Sequence, residues 1–206
     1  MLGRNWFLAL LATPLAALLA PAAGYAGADA KLLASCADCH GDKGVSSAQD
    51  VPTLAGISAT VQSDWLKAYR GKTTPCPKVN YKRGDLQRQG DMCAATKSLS
   101  DAEIADLADY YARQPYVALR QPFDAGKAAT GKALHERDCK KCHSAGGKDP
   151  ADDAGILAGQ PLAWLRTSLT AFQKAEKEQP KKMKDPMIRL SDPELEALAN
   201  FYASQQ

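Results

Sequence analysis

Cys36-Ala37-Asp38-Cys39-His40 returns 103 residues later as Cys139-Lys140-Lys141-Cys142-His143. In each copy two thiols stand one helical turn apart with an imidazole directly behind them. This is the attachment signature of a c-type heme: the thiols reach the two vinyl groups of one porphyrin, and the histidine is held under the iron as an axial ligand. A single copy is compatible with chance or with a redox Cys-x-x-Cys, but two copies followed by the same downstream pattern are not. The sequence therefore predicts two covalently bound hemes c, one on Cys36 and Cys39 with His40 and one on Cys139 and Cys142 with His143.

The downstream pattern is an internal duplication. Residues 99–114 match residues 190–205 without a gap, with nine identities in 16 positions. Both copies open with a capping box, Ser100 with Glu103 and Ser191 with Glu194, preceded by a leucine able to staple onto Ile104 or Leu195. Ile104, Leu107, Ala108 and Tyr111 recur at helical spacing, as do Leu195, Leu198, Ala199 and Tyr202. Each copy thus predicts a helix that closes a heme pocket. Leu54-Ala55-Gly56 and Leu157-Ala158-Gly159 align at the heme-motif shift of 103, Trp65-Leu66 and Trp164-Leu165 at 99, and the C-terminal helices at 91, so the first half carries 12 additional residues. A middle helix is expected in each half, over 60–69 and 161–177, with Trp65 and Trp164 packing a heme.

A six-coordinate c-type heme needs a second axial ligand, and a thioether opposite histidine raises its potential into the electron-transfer range. Met92 is the one candidate in the first half once Met1 is set aside. Met183 and Met187 compete in the second, and the repeat register favours Met183, because Met92 and Met183 each lie seven residues before the leucine that opens the C-terminal helix. Both sit on stretches that read as irregular. His135, the one histidine outside the motifs, reads as a surface or pocket-edge residue.

Arg4 precedes an apolar run from Trp6 to Ala20, followed by small residues from Pro21 to Ala28. This is the layout of a cleaved secretory signal over residues 1–26, with cleavage after Ala26 or Ala28. The run is short of the roughly 20 residues that span a bilayer as a helix, so no transmembrane span is expected after cleavage and the mature chain is expected in the periplasm. In that oxidising compartment Cys76 and Cys93, the cysteines left over, are most simply a disulfide, bracing the stretch that carries Met92. Charge is balanced, with 11 basic against 11 acidic residues over 27–114 and 14 against 12 over 115–206, which excludes a nucleic-acid footprint. Lys174 to Lys184 is a local basic run, either a solvated stretch or a docking rim near the second heme. Pro115 to Pro122 forbids a continuous helix between the halves. The expected organisation is a first domain over 27–114, a linker over 115–122 and a second domain over 123–206, all-α throughout.

With these motifs quoted, the whole mature chain resembles the di-heme bacterial cytochromes c of the c-four type, which implies two tandem class I cytochrome c domains with neighbouring heme edges. From about residue 114 onward it also resembles the di-heme cytochrome subunit of flavocytochrome c sulfide dehydrogenase. Gln114-Pro115-Tyr116, Phe123-Asp124, Thr130 to His135, Gly146-Gly147-Lys148, Ile156 to Gln160, Lys181-Lys182-Met183 and Phe201 to Gln206 carry that likeness. It implies an axial role for Met183 and a heterodimer with an FAD-binding subunit that oxidises sulfide. The insert between Cys76 and Cys93 has no place in it. No Gly-x-Gly-x-x-Gly follows a strand pattern here, so the flavin is expected on the partner chain and this chain is expected to be no enzyme itself. It would take electrons one at a time and pass them to a soluble cytochrome c. The alternative is a free-standing carrier between a quinol-oxidising complex and a terminal oxidase. A di-heme enzyme acting on peroxide or thiosulfate would need an open iron position, which two methionine ligands remove.

Overall fold

The computed structural model describes residues 27–83 and 86–206; the expected leader, residues 1–26, lies outside them. Among the described residues no helix is long and apolar enough to cross a membrane. Asp29 opens α1 (Ala30–His40) by accepting the N–H groups of Lys31 and Leu32 at 2.9 and 3.0 Å, which satisfies donors that a helix start leaves free. Ser58 caps α2 (Ala59–Arg70) in the same way. An antiparallel hairpin follows, β1 (Val79–Arg83) with β2 (Leu86–Gly90), Tyr81 standing opposite Arg88. Asp91 caps the short helix α3 (Met92–Thr96), and the capping box of Ser100 and Glu103 starts α4 (Asp101–Ala112).

The second half repeats this order without the hairpin. α5 (Ala125–Leu134) runs through a π-helical turn over His135–Cys139 into the second heme motif. There the Lys140 N–H reaches the His135 carbonyl at 2.9 Å, five residues back. The short turn α6 (Ser144–Gly147), α7 (Leu162–Gln173), α8 (Lys181–Met187) and α9 (Asp192–Ala203) complete it. Ser191 N–H donates to the Glu194 carboxylate at 2.9 Å, as Ser100 N–H does to Glu103 at 2.7 Å. The hairpin departs from the all-α expectation. Each methionine itself lies in a short helix, Met92 at the start of α3 and Met183 in α8, where irregular chain was expected; the chain before them is strand β2 and the non-helical stretch 174–180.

The structure also corrects the register of the middle helices. α2 and α7 begin and end 103 residues apart, not 99, and one pair of bonds closes both. Thr73 N–H reaches Ala68 O and Lys72 N–H reaches Tyr69 O; Glu176 N–H reaches Ala171 O and Ala175 N–H reaches Phe172 O. Lys72 and Ala175 take the left-handed conformation, with φ of 56° and 54°. This Schellman-type closure stops α7 at Gln173, four residues short of the expected 161–177 helix. The matching Trp-Leu dipeptides were a local coincidence, because Ser168 stands where the first half has Trp65. The surplus of the first half therefore lies wholly between Thr73 and Met92.

Each half has its own apolar core. Leu99, Ile104, Leu107 and Tyr111 form the first, with Leu32, Leu33 and Leu66 against them. Leu134, Leu165, Leu169, Met187, Leu190, Leu198, Phe201 and Tyr202 anchor the larger second core. Gly131 lets α5 and α9 touch, since a Cβ there would run into the Ala197 carbonyl and the Phe201 side chain. Glu196 ties three helices together: it accepts from Arg166 of α7 at 2.6 and 2.7 Å, from Asn200 at 3.0 Å, and from Lys127 of α5 at 3.4 Å. Disulfide-bonded Cys76 and Cys93, with Cα atoms 5.8 Å apart, close the base of the hairpin.

Between the halves lies a third cluster, Ile57, Val61 and Ile156, with Trp65 and Tyr116 against it. Beside it, fully buried Gln160 accepts the Thr53 N–H at 2.9 Å and donates to the carbonyls of Thr53 and Ile156 at 3.0 and 3.2 Å. Under the 103-residue shift Ile57 corresponds to Gln160 and Thr53 to Ile156. The apolar pair Ile57 and Ile156 and the polar pair Thr53 and Gln160 are thus the two images of one contact about a pseudo-two-fold axis. Tyr116 from the linking segment donates its hydroxyl to the Ala158 carbonyl.

Gln160→Ala leaves both backbone groups of Thr53 without this partner, and each buried group so stranded costs about 1–3 kcal/mol. Urea unfolding should show a loss of that order, larger than for alanine at exposed Gln87. The Arg166 guanidinium beside Glu196 holds its carboxyl down to about 2 from 4.5. The stabilisation is therefore complete above about pH 4.5 and is lost as pH falls toward 2. Glu196→Gln should flatten that acid limb in melting curves recorded from pH 2 to 7.

Candidate heme sites

The two predicted sites are built alike. His40 ends α1 and is buried, and His143 follows the π-helical turn and is buried as well. Cys36, Cys39, Cys139 and Cys142 are all free thiols. Burial pushes the thiols of Cys36, Cys39 and Cys139 up and pushes both imidazoles down, so thiols and rings are neutral at pH 7. Neutral imidazole is the form that ligates a metal.

The chain behind each motif is pinned by matching bonds. Gly44 O accepts the N–H groups of Leu54 and Ala55 at 2.7 and 3.2 Å, and Gly147 O accepts those of Leu157 and Ala158 at 2.8 and 3.1 Å. Tyr111 O takes the Gly56 N–H at 2.9 Å, and Tyr202 O takes the Gly159 N–H at 2.7 Å. Gly44 and Gly147 have φ of 76° and 80°, and a Cβ on either would press on the ring of Tyr111 or Tyr202. Only glycine suits both demands.

Tyr111 packs in the cluster that Cys36 borders and Tyr202 in the one that Cys139 borders, and burial pushes both phenols up. The sequence placed them only on the apolar stripe. The available signal was a tyrosine kept at one position of both repeats. His135 is a related correction: it is a core residue, packed at 5.0 Å from the Phe201 ring with Nδ1 3.1 Å from the Tyr202 hydroxyl. Leu32 holds the matching place in the first half.

The histidines differ in their second nitrogen. His40 Nδ1–H donates to the Pro52 carbonyl at 2.8 Å, which fixes the tautomer and leaves Nε2 as the free lone pair. His143 Nδ1 is buried with no partner among the described residues. Paired free thiols, a neutral buried ring and, at His40, a tautomer locked by a carbonyl fit a covalently held heme at each motif.

Met92 opens α3 and is partly buried, with Thr96 Oγ1 donating to its carbonyl at 2.8 Å. Met183 is partly buried in α8 and packs beside the second core, whereas Met187 is a member of that core. Counted back from the C-terminal helices, Met187 occupies the place of buried Thr96, a residue with no sulfur to offer iron. Trp65 lies at the seam, its ring against Gly155, and Trp164 sits at the edge of the second core. Within the basic run Lys177 turns inward, Nζ 3.2 Å from Ser168 Oγ and 4.7 Å from the Phe172 ring centre, and burial brings its ammonium down to about 8. Lys181 pairs with Asp185 at 2.9 Å, and Lys174, Lys182 and Lys184 are exposed.

A family model described as cytochrome c matches residues 26–112 and again 128–206. Cytochrome c4 of Azotobacter vinelandii is 27% identical over 197 residues, which cover 89% of this chain and 90% of the relative. A thiosulfate dehydrogenase electron acceptor of Thiomonas intermedia is 26% identical over 189 residues, 84% of this chain and 79% of the relative. Reduced recombinant cytochrome c4 from Pseudomonas stutzeri superposes with a TM-score of 0.69 at 24% identity, over 87% of this chain and 100% of that one, a likeness of fold. Each family match spans one Cys-x-x-Cys-His site with its glycine-tyrosine bracket, and the protein belongs to the cytochrome c family as a tandem of two cytochrome c domains.

Proposed function

We propose that this di-heme electron-transfer cytochrome works in the periplasm as the electron acceptor of a separate catalytic protein that oxidises a reduced sulfur compound. The likeness of the second half to a flavocytochrome c sulfide dehydrogenase subunit supports an FAD-binding sulfide dehydrogenase as the partner, with a soluble cytochrome c as the next acceptor. The observation that carries the reading is the duplicated site, two buried neutral histidines each beside a thiol pair and joined across one buried seam. When bound, each heme supplies a one-electron couple at its iron. Cys36, Cys39, Cys139 and Cys142 would hold the porphyrins, and His40 with Met92 and His143 with Met183 would ligate the irons. The Pro52 carbonyl on His40 keeps Nε2 unprotonated, and the Tyr111 and Tyr202 rings pack beside one thiol of each pair. Similarity to a thiosulfate dehydrogenase electron acceptor supports service to a sulfur-oxidising partner. Similarity to cytochrome c4 along nearly the whole chain favours the second reading, a free-standing carrier fed by a quinol-oxidising complex.

The partner is tested by affinity isolation of the mature protein from native periplasm, with flavin assayed in the eluate and sulfide added as reductant. Co-isolated FAD protein and sulfide-dependent reduction of the hemes are the expected result. A flavin-free monomer reduced through a quinol-oxidising complex and not by sulfide would establish the second reading.

The ligands are tested by redox titration and by the weak red absorption band of ferric heme that reports methionine sulfur on iron. Met92→Ala and Met183→Ala should each lower one potential and remove about half of that band. Met187→Ala should leave both potentials in place while costing about 2–5 kcal/mol of stability as a core truncation. A shifted potential in the Met187 variant together with an unchanged one in the Met183 variant would reverse the assignment.

A further inference from the structure

The hairpin is the part of the first half that its own core does not explain. Among the described residues, neither strand contributes a side chain to any of the three buried clusters. Its internal packing is modest: the Tyr81 ring lies over Gly90, where a Cβ would come within 3.1 Å, and Gln89 donates to Asn80 at 3.1 Å. An isolated two-stranded hairpin is marginal in water, and this one is closed at its base by the Cys76–Cys93 disulfide. The disulfide thus holds in place an element whose described residues are mostly polar and exposed.

Its charge is what sets it apart. Residues 78–90 carry Lys78, Lys82, Arg83 and Arg88 against Asp85, a net charge of +3. The rest of residues 27–114 then carries seven basic against ten acidic side chains, a net charge of −3. The even balance of the first half therefore conceals a segregation, with the positive charge gathered on the inserted element. Lys78 and Arg88 are exposed and make no ion pair among the described residues, and Gln87 and Gln89 on the same strand as Arg88 are exposed as well. β1 lies beside α1, the helix that ends in Cys36, Cys39 and His40.

We propose that the hairpin, through exposed Lys78 on its approach and Arg88 on β2, is a docking arm for the acidic face of a redox partner protein, bringing that partner to the first heme site. It deepens the electron-transfer reading and is independent of whether the partner oxidises sulfide. A net positive element on an otherwise acidic first half orients an incoming acidic surface before contact, and such steering acts mainly on the association rate and weakens with salt. The disulfide gives the arm a fixed position, so less ordering entropy is lost when a partner binds.

The test uses the di-heme holoprotein with poly-L-glutamate as the acidic probe, binding measured by calorimetry at low and high salt. Lys78→Glu with Arg88→Glu should weaken binding at least tenfold. Lys132→Glu with Arg189→Glu, an equal charge change at two exposed residues of the second half, should weaken it less than twofold. In the native protein the probe should slow amide exchange of β1 and β2, a readout that needs no variant. Equal losses in the two double variants, or exchange in the hairpin unchanged by saturating probe, would overturn the proposal. Heme potentials recorded on the same samples report on the electron-transfer reading separately: unchanged potentials with unchanged binding would sink the arm alone.

Discussion

Gln160 is the residue on which the relation between the two halves depends. Its amide satisfies both backbone groups of Thr53 and the Ile156 carbonyl from a fully buried position. A buried amide can meet such demands only at one distance and one angle. The apolar image of this contact, Ile57 against Ile156, provides burial without direction. One image therefore specifies how the domains sit and the other adds cohesion. The heme sites inherit that placement, because the chain from Gly44 and Gly147 to residues 53–57 and 156–160 lines the seam on one side and is bonded to the motif loops on the other.

Small domains bury too little of their own surface to be secure, and this architecture answers that limit locally. Each C-terminal helix serves as core, as a backbone acceptor for the loop glycine, and through its tyrosine as packing beside a heme-motif thiol. The second domain goes further, with the Glu196 cluster across three helices and His135 buried against Phe201 and Tyr202. The first domain has Ala105 where the second has Glu196, and relies instead on Arg70, which bonds the Leu99 carbonyl at 2.8 Å and Asp101 at 2.6 Å.

Much of this was legible in the chain. The heme motifs, the capping boxes and the apolar stripes are local patterns whose physics acts over a few residues, and the helices formed from them lie where the patterns put them. What escaped was set by tertiary structure. The Trp-Leu match suggested a shift of 99 because sequence identity cannot see that Lys72 and Ala175 adopt the same left-handed turn. The hairpin was hidden because its strands carry many polar residues and few apolar ones, so no clear alternation marks them. His135 read as a surface histidine because its partner, the Tyr202 hydroxyl, arrives from 67 residues away. The approach to Met183 is irregular as far as Pro180, but Met183 itself falls in a short helix, because Pro180 can cap its start and the bonds from Met183 and Lys184 back to the Pro180 carbonyl close its first turn.

The paired contacts at the seam also bear on how such a chain arises. A contact and its image under the same 103-residue shift is what a symmetric dimer of identical one-heme units would present, each copy offering the other the same patch. In a dimer of that kind a substitution appears on both sides at once, so one cannot keep isoleucine on one side while the other becomes glutamine. Joining the copies through the segment that carries Tyr116 removes that restriction. The chain then has two separately mutable versions of every position, and the glutamine at one seam contact, the histidine in one core and the hairpin on one flank are the kind of one-sided change that only a fused pair can hold.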